Sequence, residues 1–214
     1  HPYINNEYGW LWLTRDGSDA TPIAEAAYEL LAPGVALTAE ERREIYAYVA
    51  SELSGYWRAG RGYAGVQHFL YLGKCTDKDD ILEGADITEP SATCDNFIDT
   101  PSLEMEPRWA RWAPQAFSPV AINIDRWSQA FYNPGERSIP VTLLNDTYLD
   151  QQLTVSLLLA DLNGEVVARS QPQDVLLSAL AKKQLSLTIE LPERNELVLY
   201  ASIAGDFADA PVYS

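Results

Sequence analysis

The chain has 214 residues, and 47% of them are hydrophobic, which is enough to bury a sizeable core in one large domain or two small ones. Its formal net charge is -16, so duplex nucleic acid and anionic membrane surfaces, which require clustered lysine and arginine, are poor partners. No apolar run approaches the roughly 20 residues of a membrane span. Neutral, polyol-like ligands suit this composition better.

In chain order, the first notable segment is YINNEYGWLW at residues 3 to 12, where Glu7 ends a short apolar run among aromatic residues. Sugar chemistry needs this combination, because a carboxylate can attack or protonate at an anomeric carbon while aromatic faces stack on a pyranose ring. The alternative interpretation of Glu7 is a solvated charge beside a few core aromatics. The rest of the chain provides the context for choosing between these two interpretations of Glu7.

Four elements are predicted before residue 75: a buried strand over Pro2–Asn5, a helix beginning at Thr21-Pro22, a helix beginning at Thr38, and a short apolar strand over Ala64–Leu72. Thr38 and Glu41 have the spacing of a capping box. The second helix is expected to bury a face carrying Ile45, Val49, Leu53 and Trp57. Strand, helices and strand in this order predict one βα unit and the start of the next.

Cys75 and Cys94 flank an acidic stretch that is expected to be a loop. A disulfide closing a loop of about 20 residues would stabilise the fold by about 3 kcal/mol in the chain-entropy model. Two unrelated thiols are the alternative, and both interpretations stay open. The spacing is not a metal signature, since no histidines or further cysteines lie nearby, and no metal or other cofactor is expected.

After the loop, a Trp-rich stretch over Arg108–Phe117 predicts a helix with Trp109 and Trp112 on one face, more typical of a core than of a ligand platform. Beyond residue 117 the pattern becomes that of a β-sandwich. The strand candidates are Val120–Trp127, Ile139–Asn145, Leu153–Leu159, Glu165–Arg169, Gln184–Leu191 and Glu196–Ala204. This half shows no catalytic constellation.

The segment Pro2–Trp10, followed by helices, the Ala64–Phe69 strand and the sandwich, resembles the C-terminal part of a clan A glycoside hydrolase, in particular glycoside hydrolase family two and its β-galactosidase-like relatives. The resemblance implies an α/β plus β fold. Residues 1–117 would form the last two βα units of a (β/α)8 TIM barrel, and residues 118–214 an Ig-like antiparallel β-sandwich whose last strand is expected to be incomplete. Both chain ends are accordingly expected to be truncations of a longer polypeptide.

The same resemblance implies two catalytic glutamates, an acid/base after the fourth barrel strand and a nucleophile after the seventh. The Asn6-Glu7 pair is more usual for the acid/base. Only one further strand-like segment, Ala64–Leu72, precedes the sandwich, so Glu7 matches the nucleophile. The partner carboxylate is then expected upstream of residue 1, about 5 to 5.5 Å from Glu7 in a retaining site.

The resemblance also implies a carbohydrate-binding rim formed by Asn6, Tyr8, Trp10, His68 and Tyr71. For His68, a hydrogen bond to a sugar hydroxyl and a buried ring tied to nearby backbone are both open. The function expected is a fragment of a retaining glycoside hydrolase that acts on an oligo- or polysaccharide. It is expected to be inactive without the missing N-terminal barrel segment of its own polypeptide.

Two other functions stay open. A non-catalytic carbohydrate-binding or adhesion module would need exposed, coplanar aromatics on one sheet face, and the second half is poor in tryptophan, with Trp127 alone, which favours the enzyme. A degenerate hydrolase kept as a scaffold is also open, because half of the catalytic pair would lie outside this sequence.

Overall fold

The computed structural model describes residues 3–14, 16–61, 65–68, 96–99, 102–125, 133–193 and 196–205. They fall into two compact units, His1–Ser54 with Tyr63–Pro114, and Gly55–Gly62 with Gln115–Ser214. In the first half of the chain the elements are β1 (Ile4–Asn6), α1 (Pro22–Leu31), α2 (Ala39–Gly60), β2 (Gly65–Gln67), β3 (Phe97–Asp99), β4 (Glu104–Met105) and α3 (Pro107–Phe117). In the second half they are β5 (Val120–Ile124), β6 (Gly135–Asn145), β7 (Gln151–Asp161), β8 (Val166–Arg169), β9 (Gln173–Leu177), β10 (Lys182–Leu191) and β11 (Leu197–Ala204).

The first unit contains a small parallel sheet made of β1 and β2, each three residues long. Their register pairs Ile4 with Gly65 and Asn6 with Gln67. The pairing extends one step further, because the backbone N–H of Glu7 donates to the carbonyl of Gln67 at 3.2 Å. Parallel strands in this register end at the same level, so their carboxyl ends share one edge of the sheet.

The prediction that residues 1–117 form the last two βα units of a TIM barrel is wrong. A barrel strand pairs with a neighbour on each edge until the ring closes. Among the described residues β1 and β2 pair with each other alone, and β3 pairs antiparallel with β4 in a separate sheet. A strand is present at Ile4–Asn6, but it is not buried as expected for Pro2–Asn5, since Ile4 is 62% exposed.

Local capping signals in the sequence determine where the first two helices begin. Thr21 caps α1, and its hydroxyl accepts from the Ala24 N–H at 3.1 Å. The capping box before α2 is confirmed, because Thr38 Oγ1 accepts from the Glu41 N–H at 3.2 Å while Glu41 accepts from the Thr38 N–H at 2.8 Å. Within the described residues, no helix combines the length and the apolar character of a membrane span.

The core of the first unit lies where α1, α2 and α3 meet the segment after β1. Trp109 is 2% exposed, which confirms that it is a core residue. Trp112 packs against the same core and donates its indole N–H to Glu44 Oε1 at 2.8 Å. The buried members of this core are Leu11, Leu13, Ala24, Tyr28, Tyr46, Ala47, Ala50, Trp109 and Ala113.

The second unit consists of two antiparallel sheets that share one hydrophobic core. One sheet has the order β10–β6–β5; in the other, β7 pairs with β11 on one edge and with β8 and β9 on the other. The strand predicted over Gln184–Leu191 is present within β10, and its burial alternates, since Leu187, Ile189 and Leu191 are buried between exposed residues. The arrangement is compatible with the predicted β-sandwich.

We expect Gly17→Ala to destabilise the first unit by about 2 to 5 kcal/mol. Gly17 has φ +81, which costs an L-residue about 1 to 2 kcal/mol, and its added Cβ would lie 2.4 Å from the Cβ of Ala39, adding about 1 to 3 kcal/mol of overpacking. Urea titration followed by tryptophan fluorescence measures the difference. Gly34→Ala is the matched control, because Gly34 also has a positive φ, +72, but has open space around it. Equal losses for the two variants would contradict the steric argument.

Candidate functional site

Glu7 follows β1 directly, and its side chain is exposed. Its backbone lies in the left-handed region, with φ 62, which L-residues other than asparagine and aspartate rarely adopt. Leu103, Leu180 and Glu196 share this conformation, so it does not by itself define a site. At the end of a strand, however, the turn redirects the chain and places the carboxylate beyond the sheet edge, where a ligand can approach it.

His68 follows β2 as Glu7 follows β1. Because Asn6 is opposite Gln67 in the parallel register, the next residues, Glu7 and His68, leave the sheet side by side. The structure therefore places Glu7 and His68, about 60 residues apart in the sequence, at the same end of the strand pair. Chemical groups at the carboxyl ends of parallel strands are commonly placed for ligand contact.

Three aromatic rings surround the imidazole, and we call these four residues the His68 cluster. Tyr8 meets the imidazole edge to face at 5.5 Å between ring centroids, Trp109 lies at 5.0 Å and Tyr46 at 6.1 Å. Tyr46 and Trp109 also pack on each other at 5.4 Å. The phenol oxygen of Tyr46 lies 3.2 Å from His68 Nε2, within hydrogen-bond distance.

Burial lowers the pKa of His68 from 6.5 to about 4, although the nearby Tyr8 backbone acts in the opposite direction. Its Nδ1 is buried and has no well-aligned hydrogen-bond partner among the described residues. The ring is therefore neutral above about pH 5. A neutral, enclosed imidazole cannot serve as a general acid near neutral pH.

The structure places Tyr8 in the interior, at 7% exposed, although the sequence suggested a sugar contact for it. Its phenol lies 2.5 Å from the hydroxyl of Ser54, which in turn donates to the carbonyl of Ala50 at 2.7 Å. Tyr8 thus ties the segment after β1 to the middle of α2. Asn6, one residue before Glu7, is exposed.

Trp10 keeps 45% of its surface exposed and stacks on Trp12 at 5.9 Å with an interplanar angle of 27°. Leu11, between them, is buried, and Trp12 packs partly buried against the core of the first unit, so Trp10 is the more exposed of the two indoles. An exposed indole supported from one side can present a flat face to a ring-shaped ligand. Tyr71, Cys75, Cys94 and Trp127 lie outside the described residues, as does the acidic 76–93 loop.

Sequence reasoning missed Tyr46 and Ser54, which support Tyr8 and His68 from α2. The face predicted for this helix was Ile45, Val49, Leu53 and Trp57, and these side chains are only partly buried. The most buried residues are mainly the smaller neighbours Ala47, Ala50, Ser51 and Ser54, together with Tyr46. Small residues allow neighbouring segments to approach the helix closely. A prediction of the buried face that relies on large apolar side chains overlooks them.

The sequence analysis also did not identify two neighbouring titratable residues on α2, Tyr48 and Glu52. Glu52 is half-buried, and this burial raises the pKa of its carboxyl from 4.5 to about 7. Burial, and to a smaller extent the charge of Glu52, raises the pKa of Tyr48 to about 12. The Tyr48 ring meets Trp112 edge to face at 5.1 Å.

The first unit also contains a cavity of about 380 Å³ between α1 and the start of α2. The Asp19–Arg42 ion pair, at 2.7 Å, lies on its wall, and the guanidinium of Arg42 lies over the Tyr28 ring. None of the predicted site residues lines it. Within the described parts of the chain, no three histidine, cysteine, aspartate or glutamate residues come together as a metal site.

No family model and no curated protein matches the sequence. The β-D-mannosidase of Dictyoglomus thermophilum matches 86% of this chain with a TM-score of 0.57 at 13% identity, and the match spans 21% of that enzyme. A β-glucuronidase of glycoside hydrolase family 2 matches 44% of the chain and 10% of its own length, with 14% identity and a TM-score of 0.29. At these identities the likeness to the mannosidase shows the fold alone.

A FixG-related protein from Vibrio parahaemolyticus also matches 41% of this chain and 84% of its own length, with 10% identity and a TM-score of 0.32. The chain spans about a tenth to a fifth of the two glycosidases compared above.

We expect the deprotonation of Glu52 to make the first unit less stable as pH rises. A folded-state pKa raised to about 7 means that stability is fully present below about pH 4.5 and is lost as pH rises through 7, by about 1 to 3 kcal/mol. Glu52→Gln should remove this loss, so the variant gains on the wild type between pH 5 and 8 in urea titrations. His68 acts in the opposite direction, with stability lost as pH falls from 6.5 toward 4, and it cancels in the comparison of variants.

A Glu52→Gln difference from the wild type that is constant from pH 5 to 8 would contradict the burial of a titrating carboxyl.

Proposed function

We propose that this chain supplies the nucleophile of a retaining glycoside hydrolase, with Glu7 as the attacking carboxylate. The observation that carries the proposal is the placement of Glu7: exposed, in a left-handed turn, at the carboxyl edge of a parallel strand pair and beside exposed aromatic surface. The fold shared with part of a β-D-mannosidase supports the same class of reaction.

In this reaction Glu7 attacks the anomeric carbon, the glycosidic bond breaks, and a covalent glycosyl-enzyme ester forms. A second carboxylic acid gives its proton to the leaving oxygen. The resulting carboxylate then takes a proton from water as the water attacks the ester, which releases the sugar with its original configuration and restores Glu7.

We place the second carboxyl group in a part of the polypeptide that precedes this sequence, about 5 to 5.5 Å from Glu7 in the assembled site. The match to the mannosidase spans 21% of that enzyme, so a site completed by residues outside the present chain is compatible with the comparison. The isolated chain is accordingly inactive.

The substrate is a carbohydrate, an oligo- or polysaccharide, that contacts the exposed residues around Glu7. The free indole face of Trp10 suits stacking on the apolar face of a pyranose, and the Asn6 amide suits a hydroxyl group. Tyr71, which follows the β2 segment in the sequence, is assigned to the same rim from its sequence position.

The described residues give no support to a carbohydrate-binding module on the second unit. Such a module needs coplanar exposed aromatics on a sheet face. Among the described residues of this unit, Tyr148 is the large aromatic side chain that is mostly exposed, at 84%, and it lies in the turn between β6 and β7. A single ring on a turn does not form a platform.

We expect Glu7→Gln, made in the polypeptide that carries both carboxyl groups, to lower turnover of an activated aryl glycoside by about a thousandfold or more, because the amide keeps the shape and removes the nucleophile. Glu196→Gln is the matched control. Glu196 is also an exposed glutamate with φ 62, but it lies in the second unit, so its replacement should leave turnover unchanged.

Azide provides a positive test of the same role. In Glu7→Gly, azide should restore turnover of the aryl glycoside and give a glycosyl azide of inverted configuration, since it attacks from the face that the carboxylate leaves open. Normal turnover by Glu7→Gln without azide would show that Glu7 is not the nucleophile.

A further inference from the structure

We propose that Ser54 on α2 is a positioning residue for Glu7: it binds the Tyr8 phenol and so fixes the turn that carries the carboxylate. This inference rests on the proposed role of Glu7 for its catalytic consequence. It gives Tyr8 a role different from the sugar contact that the sequence suggested, and it gives Ser54 a role of its own.

The first argument is the backbone of the turn. Glu7 and Gly9 both have positive φ, 62 and 72, and Tyr8 lies between them. Glycine adopts this conformation readily, but a glutamate keeps it only where the surrounding structure imposes it. One constraint comes from the sheet, because the Glu7 N–H donates to the Gln67 carbonyl at 3.2 Å. The residue after Glu7 supplies another.

This second constraint is the Tyr8 side chain. Tyr8 is 7% exposed, and its phenol oxygen lies 2.5 Å from the hydroxyl of Ser54, a residue with no exposed surface. Ser54 Oγ donates to the Ala50 carbonyl at 2.7 Å. A serine hydroxyl has a single hydrogen, so the Tyr8 O–H is the donor in the bond between the two hydroxyls. The phenol is thus bound to α2 in a defined direction.

The third argument is the space that α2 leaves for the turn. Ala50 and Ser54 are both buried and lie one helical turn apart, on the same side of the helix. A Cβ at Gly9 would lie 3.7 Å from the Cα of Ala50, so the turn lies directly against the helix. Position 54 therefore needs a side chain that is small and that also accepts a hydrogen bond. Serine meets both requirements.

The two constraints act on either side of the carboxylate. The backbone of Glu7 is bound to β2, and the side chain of the next residue is bound to α2. A nucleophile must lie close to the anomeric carbon in an aligned geometry, and a displacement of about 1 Å can lower the rate by about a hundredfold. Loss of the bond between Tyr8 and Ser54 therefore lowers turnover without removing a group that contacts the sugar.

The structural arm of the test measures amide hydrogen exchange by NMR in the 214-residue chain. Tyr8→Phe removes the donor and keeps the ring. The Glu7 amide should then exchange about tenfold faster or more, because its bond to Gln67 opens more often. The internal reference is the Ala20 amide, which donates to the Trp12 carbonyl at 3.0 Å and should be unchanged. Unchanged exchange at Glu7, or equal acceleration of both amides, would overturn the proposal.

Tyr28→Phe is the matched control variant. Tyr28 is also buried, at 3% exposed, and its phenol donates to the Leu11 carbonyl at 2.8 Å. This substitution removes a comparable hydrogen bond from the same core, so it should leave exchange of the Glu7 amide as in the wild type. Acceleration as large as that in Tyr8→Phe would show that the effect is not specific to the Ser54 bond, and the proposal would fail.

The functional arm measures kcat and KM in the polypeptide that carries both carboxyl groups. Tyr8→Phe and Ser54→Ala should each lower kcat by about 10- to 100-fold with KM unchanged, while Tyr28→Phe leaves kcat unchanged. Because both substitutions remove the same bond, the double variant should lose no more than the larger single loss. Losses that multiply in the double variant contradict a shared bond. A raised KM with unchanged kcat in Tyr8→Phe would indicate a substrate contact and overturn the positioning role.

The two proposals fail in different ways. Normal turnover by Glu7→Gln would refute the nucleophile and leave the exchange results as they are. Unchanged exchange at Glu7 in Tyr8→Phe, or unchanged kcat in both Tyr8→Phe and Ser54→Ala, would refute the positioning role and leave the role of Glu7 intact.

Discussion

The parallel pairing of β1 with β2 is the constraint on which the candidate site depends. A shift of one residue would replace the Glu7–His68 neighbourhood with a different pair and turn every side chain to the other face. The ladder has only three paired residues on each strand, too few to determine the register by themselves. The additional constraint comes from outside the sheet. Tyr8 is anchored on α2 through Ser54, and His68 is packed against Tyr46 and Trp109. Aromatic packing between helices and strand ends therefore stabilises a sheet that is short and open.

Helix capping and strand alternation could be predicted from the sequence, because both depend on interactions between residues that are close together in the chain. The Thr38–Glu41 capping box and the alternation before Leu191 are visible in a few consecutive residues, and both are present in the structure. The barrel was inferred from a resemblance, and strand pairing over long distances cannot be read from neighbouring residues. β9, which was not predicted, shows why: Gln173–Leu177 offers only two buried side chains, and its strand character comes from its pairing with the first half of β7.

At the candidate site, too, features visible in consecutive residues could be predicted, and features that depend on tertiary contacts could not. The sequence indicated Glu7 and the aromatic segment after it, since a carboxylate among aromatics is a compositional feature. It did not indicate the left-handed conformation of Glu7, because tertiary contacts impose that conformation on a residue that does not favour it. Nor did it indicate Tyr46 or Ser54, whose importance follows from which face of α2 is turned toward β1. A Cβ at Gly9 would lie 3.7 Å from the Ala50 Cα, which shows how closely the two segments approach.

The neutral state of His68 has a consequence for the packing at the ends of β1 and β2. Burial among three aromatic rings makes protonation of the imidazole unfavourable above about pH 5. The ring can therefore pack against Tyr8, Tyr46 and Trp109 without introducing a buried charge that has no counter-ion. The aromatic residues around His68 thus serve two purposes, since they connect the strand ends to α2 and α3 and keep the imidazole between them uncharged.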